Sequence, residues 1–271
     1  ADEEISVEAQ EKIRGFLEKQ PDDVNTVTMT VVNYVDTEHK VFDVVQNTRM
    51  FRNGTVHYVN KIHNQPVYKD KIAYFEEKLY HYGYIWTPEL REKKYKRTST
   101  LLKEQLKEEM TPKLRHYYQL QLYKTELIGN RISEAYDLGK QLFEELQNEA
   151  SENIPLIAYE YWVLFGFQAV DNEDYDMALQ CFTNAVASEP ECTDGYLGMA
   201  MYDLHVGNTA SGLENVKKFF KLYPKMLKNI KNYAFTVTSP KYLDIMNMIA
   251  SMLYAKMGQA KKAIDYINKV Q

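Results

Sequence analysis

Residues 159–192 read YEYWVLFGFQAVDNEDYDMALQCFTNAVASEPEC, and the fold is decided here. In the first half Trp162, Phe165 and Ala169 recur at three- and four-residue intervals, which puts them on one stripe of a helix. In the second half Ala178, Phe182 and Ala185 form a matching stripe, so small residues face large ones across a helical pair. Gly166 removes a side chain where the second helix must come close. Asn172 and Glu173 fall in the turn, and Pro190 closes the pair because proline cannot continue a helix.

Trp162, Phe165, Gly166, Ala178, Phe182, Ala185 and Pro190 keep the spacing of a 34-residue unit, and the stretch resembles the tetratricopeptide repeat family. It departs at Ala169, where the family usually carries a large aromatic. The resemblance covers roughly residues 116–271 and implies stacked helical hairpins, an architecture that by itself names neither a partner nor a reaction. A more degenerate unit fits 116–149, with Ala135 as its small residue, Leu120, Tyr123, Ile132 and Leu142 as core candidates, and Gly139 at the usual aromatic position. In 193–226, Tyr196, Met199, Ala200, Gly207, Gly212, Val216, Phe219 and Pro224 keep the register, while Asp203 takes an aromatic position. Residues 227–243 are extra to the pattern and end at Ser239-Pro240, a cap-and-start signal. A last unit from 244 carries Ser251, Tyr254, Gly258, Ala263 and Ile267 and stops at Gln271 before a closing proline.

Upstream the period changes. A helix is expected over 5–20, with Ile5, Ala9, Ile13, Phe16 and Leu17 on one face, Ser6 as its cap and Pro21 after it. From Val24 to Val35 the alternation of Val27, Met29 and Val31 with Thr26, Thr28 and Thr30 predicts a half-buried strand, and His39 to Val45 a second. Asn53-Gly54 between two alternating runs predicts a hairpin. Pro66-Val67-Tyr68 and Leu79 to Trp86 suggest edge strands, with a short helix between them near Ile72 to Glu77. Pro88 opens a helical stretch with breaks near Thr98 to Thr100 and at Thr111-Pro112. The chain is therefore read as mainly α. A TPR-like helical-hairpin solenoid over 88–271 follows a small N-terminal α+β, strand-rich unit over 1–87, in which no family is recognised.

No stretch reaches the roughly 18 uninterrupted apolar residues of a membrane helix, and the chain is read as soluble. A formal charge of −5 and a pI near 5.8 disfavour a broad nucleic-acid surface. Two basic stretches interleave with aromatics: Arg91, Lys93, Lys94, Lys96 and Arg97 around Tyr95, and Lys217, Lys218, Lys221, Lys225, Lys228 and Lys231 around Phe219, Phe220 and Tyr223. They are read first as solvated helix faces. Twenty-two tyrosines suit helix-to-helix contacts that are half apolar and half hydrogen-bonding. Cys181 and Cys192 are spaced against a disulfide, and neither they nor the histidines make a metal motif. The start at Ala1, without Met, fits removal of a leader peptide as well as trimming, and an exported protein is expected.

His39, His57, His63, His81, His116 and His205 are the catalytic candidates, with His57 and His63 six residues apart and so on one face of a strand, but no convergent third group is specified. No nucleophile elbow, zincin helix, phosphate loop or dinucleotide loop occurs. Asn53-Gly54-Thr55 matches a glycosylation sequon, which the turn already explains. No catalytic residue, metal or cofactor is therefore expected. In a repeat stack, first-helix residues outside the core line a concave face. Here those are Val163, Phe167 and Val170, then Leu197, Met201 and Leu204, apolar where solvent would otherwise lie. The family's Lys, Asn and Arg clamp for a C-terminal carboxylate has no counterpart at these positions.

The leading reading is a non-catalytic interaction scaffold or adaptor that binds a partner peptide or helix through that face. The alternative makes the N-terminal unit a ligand-binding or enzymatic domain and the repeats its oligomerisation arm. A third joins two copies through the unfinished final repeat.

Overall fold

The computed structural model describes residues 2–59, 62, 65–68, 71–85, 87–229, 233 and 235–270. The chain divides into two compact units, Ala1–Leu101 with Lys231–Thr236, and Leu102–Ile230 with Val237–Gln271.

In the first unit, β1 (Glu3–Ile5) precedes α1 (Val7–Glu18). Ser6 caps α1 by accepting a hydrogen bond from the Ala9 amide at 3.1 Å, so the helix starts two residues later than expected and Ile5 joins the sheet. The long strands are β2 (Val24–Tyr34), β3 (Val41–Phe51) and β6 (Lys71–His81), with the short pair β4 (Val56–Val59) and β5 (Gln65–Tyr68) between β3 and β6. The four-stranded sheet has the order β1-β6-β2-β3, with β2 and β6 parallel and the other neighbours antiparallel. Val27, Met29 and Val31 of β2 and Phe75 and Leu79 of β6 form a core with Ala9, against which Ile13 and Phe16 of α1 pack. Leu17, expected on the same stripe, is exposed. The other face is polar: Gln46 Nε2 donates to Thr30 Oγ1 at 2.8 Å, and the Thr30 hydroxyl shares a hydrogen bond with Tyr74 at 2.5 Å.

Two local expectations are corrected. Ile72 to Glu77 is strand, not helix. The ladder with β2 steps from Met29↔Phe75 to Thr30↔Lys78, and this irregularity absorbs the Glu76-Glu77 interruption that hides the alternation. Asn53-Gly54 does turn the chain, with Gly54 at φ 79° and the Thr55 amide bonded to the Arg52 carbonyl at 3.2 Å. Among the described residues, however, its flanking strands are not partners, since β3 pairs with β2 and β4 with β5. Trp86 and His63 lie outside the described residues.

The second unit begins within α2 (Pro88–Gln105), which runs unbroken through Thr98 to Thr100. Four hairpins follow: α3 (Pro112–Ile128) with α4 (Ile132–Gln147), α5 (Ala158–Asp171) with α6 (Tyr175–Ser188), α7 (Asp194–Val206) with α8 (Thr209–Asn229), and α9 (Leu243–Lys256) with α10 (Ala260–Ile267). Thr111 caps α3, accepting from the Leu114 amide, and Pro112 occupies its first turn.

The four turns are built alike. Amides of Arg131, Asp174, Asn208 and Gln259 bond carbonyls five residues back, at Glu126, Ala169, Asp203 and Tyr254, over 2.8–2.9 Å. The residue before each amide is left-handed: Asn130, Glu173, Gly207 and Gly258. Each amide belongs to the sixteenth residue of a unit counted from 116, 159, 193 or 244, so four divergent sequences end their first helices by one backbone device.

Consecutive hairpins touch through α4 with α5, α6 with α7, and α8 with α9, and each first helix touches the next. Leu120, Tyr123, Ala135 and Leu142 are buried as the pattern predicts, whereas Ile132, at the start of α4, is exposed. Gly139 replaces the usual aromatic because its space is taken: a Cβ there would stand 2.4 Å from the Phe165 ring. Asp203 replaces another and is buried as an acceptor from Ser211 Oγ at 2.7 Å and Asn215 Nδ2 at 2.9 Å, which ties α7 to α8. Pro224 does not end its hairpin, since α8 continues through it to Asn229.

Candidate functional site

First helices lie side by side because each hairpin buries its small-residue stripe against the next. α5 contacts α7 and α7 contacts α9, so residues pointing away from the second helices share one face of the second unit. The six residues expected there divide into two groups. Val163, Val170 and Leu197 are buried, at 2%, 8% and 1% exposure. Phe167, Met201 and Leu204 are half-buried and pack against the core of the last two hairpins. Phe167 meets Phe182 at a centroid distance of 5.3 Å and Tyr242 at 6.0 Å. Tyr242 closes the 227–243 segment, so the end of that insertion covers part of this face.

The fifth and ninth residues of the last unit, counted from 244, are Met248 and Met252, the positions of Val163 and Phe167 in the unit from 159. They and Ile245 are 45%, 52% and 42% exposed, an apolar stripe at three- and four-residue spacing along α9. Opposite it Met246, Ile249, Ala250 and Leu253 are buried in the core. Sequence reasoning passed over the stripe, although continuing the register of Leu197 and Met201 by one more unit would have found it.

A second feature carried no sequence signal. Asp194, in the first turn of α7, is buried. It accepts hydrogen bonds from the Thr238 amide (2.8 Å) and hydroxyl (3.0 Å), from the Ser239 amide at 2.7 Å and from the Ser239 hydroxyl. Burial raises its carboxyl above the ordinary range, against the lowering effect of these four donors. The carboxylate thereby anchors the returning end of the insertion beside the start of α7.

Among the described residues the histidines do not converge. His57 is exposed, His81 bonds Asn33 Oδ1 at 2.6 Å, and His116 bonds Gln119 at 3.1 Å and Glu149 at 2.9 Å. His205 bonds the Tyr175 hydroxyl. Cys181 and Cys192 are unbridged and buried, and burial pushes the Cys192 thiol up to about 12. In the first unit a cavity of about 220 Å³ is lined by Leu17, Gln20, Val24, Asn25, Val27, Met50, Phe51 and Arg52, with no histidine or carboxylate. Among the described residues no group of three or more His, Cys, Asp or Glu is placed to hold a metal ion. None of the described helices is long and apolar enough to cross a membrane.

Fold and site together define a class: a mainly helical chain of tandem hairpins with a small mixed-sheet N-terminal unit, presenting apolar side chains on its first-helix face. No family model matches the chain, and no curated protein matches it. Among solved structures it is similar to one described as "Crystal structure of MamA", at 15% identity and TM-score 0.48, over 65% of this chain and 86% of that one. A MamA structure from AMB-1 shares 13% identity at TM-score 0.47, over 66% and 88% of the two chains. A MamA double mutant from RS-1 shares 14% at 0.47, over 68% and 92%.

Proposed function

We propose that this chain is a non-catalytic interaction module of the tetratricopeptide type, which binds an apolar helix or extended peptide of a protein partner along its first-helix face. The observation that carries the reading is the α9 stripe of Ile245, Met248 and Met252, apolar and near half exposure on a helix whose opposite side is buried core. Methionine suits such a surface because its unbranched thioether adapts to different apolar partners. Phe167, Met201 and Leu204 extend the contact, and Val163, Val170 and Leu197 form the floor that holds them. A preformed face of this kind avoids much of the ordering cost of binding.

The test is capture of protein partners by the intact chain and by the triple variant I245D/M248D/M252D. These positions are exposed, so the variant should melt within a few degrees of the parent, and it should lose the captured partner. Retention of the same partner by a folded variant would count against the reading.

A second reading rests on the first-unit cavity, which has room for a small ligand. It makes that unit a ligand-binding domain with the repeats as its assembly arm. A ligand that shifts resonances of Val27, Met50 and Phe51, with no protein partner dependent on the α9 stripe, would favour it.

A further inference from the structure

Charge is distributed unevenly along this chain. Residues 209–271 contain eleven lysines, no arginine and three acidic residues, a net charge of +8, which leaves −13 on residues 1–208 against the whole-chain −5. Five of the lysines, Lys217, Lys218, Lys221, Lys225 and Lys228, are exposed on α8. At 100° per residue they fall within one arc of about 100°, and Lys217 to Lys228 spans about 16 Å of helix. Among the described residues the acidic side chain paired with them is Glu191, which meets Lys225.

Beside this row stand two more cations, Lys262 of α10 and Lys269 just past its end. Lys269 Nζ lies 4.4 Å from the Tyr266 ring centroid and 6.0 Å from that of Phe220, and Lys262 Nζ lies 5.1 Å from Tyr254. Phe220 and Tyr266 are 5.2 Å apart, joining the two helices. An exposed apolar residue stands beside the lysines: Leu227, next to Lys228 and two turns on from Phe220 along α8.

We propose that the α8–α10 face is a second interaction surface, separate from the α9 stripe, and that it binds an acidic amphipathic helix of a protein partner. Two charge spacings match. Lys217, Lys221 and Lys225 recur every four residues, a rise of about 6 Å, which is also the rise between carboxylates four residues apart on a helix lying alongside. Leu227 supplies apolar contact for the flank of such a helix, a contact that a phosphate backbone would not use. The aromatic rings of this face are packed together and covered by lysines, so they do not offer the open platforms on which single-stranded bases stack. The absence of arginine fits recognition by rows of point charges, with no fork-shaped bidentate pairing.

The probe is a helix-forming peptide with Glu at four-residue spacing and Leu on the adjoining flank. A scrambled peptide of the same composition, a single-stranded oligonucleotide and phosphatidylserine vesicles serve as comparisons, all titrated into the full chain at low and at physiological salt. The ordered peptide should bind more tightly than the other three and weaken with salt. K217E/K221E/K228E should weaken it by roughly tenfold or more, and K217Q/K221Q/K228Q by less. The glutamine variant keeps the helix surface uncharged, so it separates loss of binding from loss of fold. I245D/M248D/M252D should leave peptide binding unchanged. Equal binding of the scrambled peptide, tighter binding of the oligonucleotide or the vesicles, or no binding at low salt would each overturn the proposal.

Discussion

Gly198 of α7 meets the ring of Phe182 on α6 so closely that a Cβ built on Gly198 would stand 2.2 Å from it. On the other side a Cβ on Gly166 of α5 would stand 2.5 Å from the same ring. Phe182 is therefore held between the first helices of two successive hairpins, and the missing side chains of both glycines make the room. The spacing between hairpins is set by one aromatic ring and two backbones.

Gly198→Ala should destabilise the chain by about 1–3 kcal/mol, because the ring cannot move away from one glycine without striking the other. Phe182→Leu should relieve part of that cost, so the double variant should be more stable than the sum of the single changes predicts. Urea unfolding of the four proteins measures the coupling, and additivity within about 0.5 kcal/mol would show that ring and glycine do not compete for space.

Truncation has the opposite defect, a cavity. Phe182 is fully buried, and Trp162 is buried with its ring edge-on to Phe143 at 6.0 Å. Phe182→Ala and Trp162→Ala should each cost on the order of 3–5 kcal/mol. A melting shift of a degree or less in either variant would remove that residue from the core.

Asp194 predicts a pH dependence with a definite sign. Its folded carboxyl is raised above the ordinary 3.8 by burial, so the fold favours the protonated form. Its contribution is greatest below the unfolded value and is lost as pH rises through the folded one. The stability of the parent relative to Asp194→Asn should accordingly fall on raising the pH from about 4, then level off. A difference that grows with pH would mean that the hydrogen bonds from Thr238 and Ser239 outweigh burial.

Glu149 should behave in the reverse manner. Hydrogen bonds from Asn153, from His116 and from the Ala150 amide hold its carboxyl down, from 4.5 to about 2. Stability from this group is present above the unfolded value and is lost as pH falls toward 2. Glu149→Gln should flatten that part of the acid limb, read by thermal melts between pH 5 and pH 2, each value about the range over which the carboxyl titrates. An unchanged acid limb would show that Glu149 is not the group responsible.

The helical hairpins were legible because their determinants are local. The stripe of Trp162, Phe165 and Ala169, the cap at Thr111 and the left-handed turn residues act within a turn or two of the chain, where sequence spacing and spatial neighbourhood coincide. Even the exceptions at Gly139 and Asp203 were visible as departures, although their reasons, the Phe165 ring and the Ser211–Asn215 donors, lie on other helices.

By itself, then, the sequence determined the period, the pairing of neighbouring helices and the apolar character of the first-helix face. The tertiary structure alone decided which residues on that face are covered. Val163 and Leu197 are sealed by packing, while Met248, at the equivalent position, remains open. It also decided that Lys71–His81 is a strand, since its partners in β2 lie 46 to 48 residues earlier, and that Asp194 meets Ser239 across 45 residues. Burial and long-range pairing depend on what the rest of the chain brings alongside, and no local pattern of residue types encodes that.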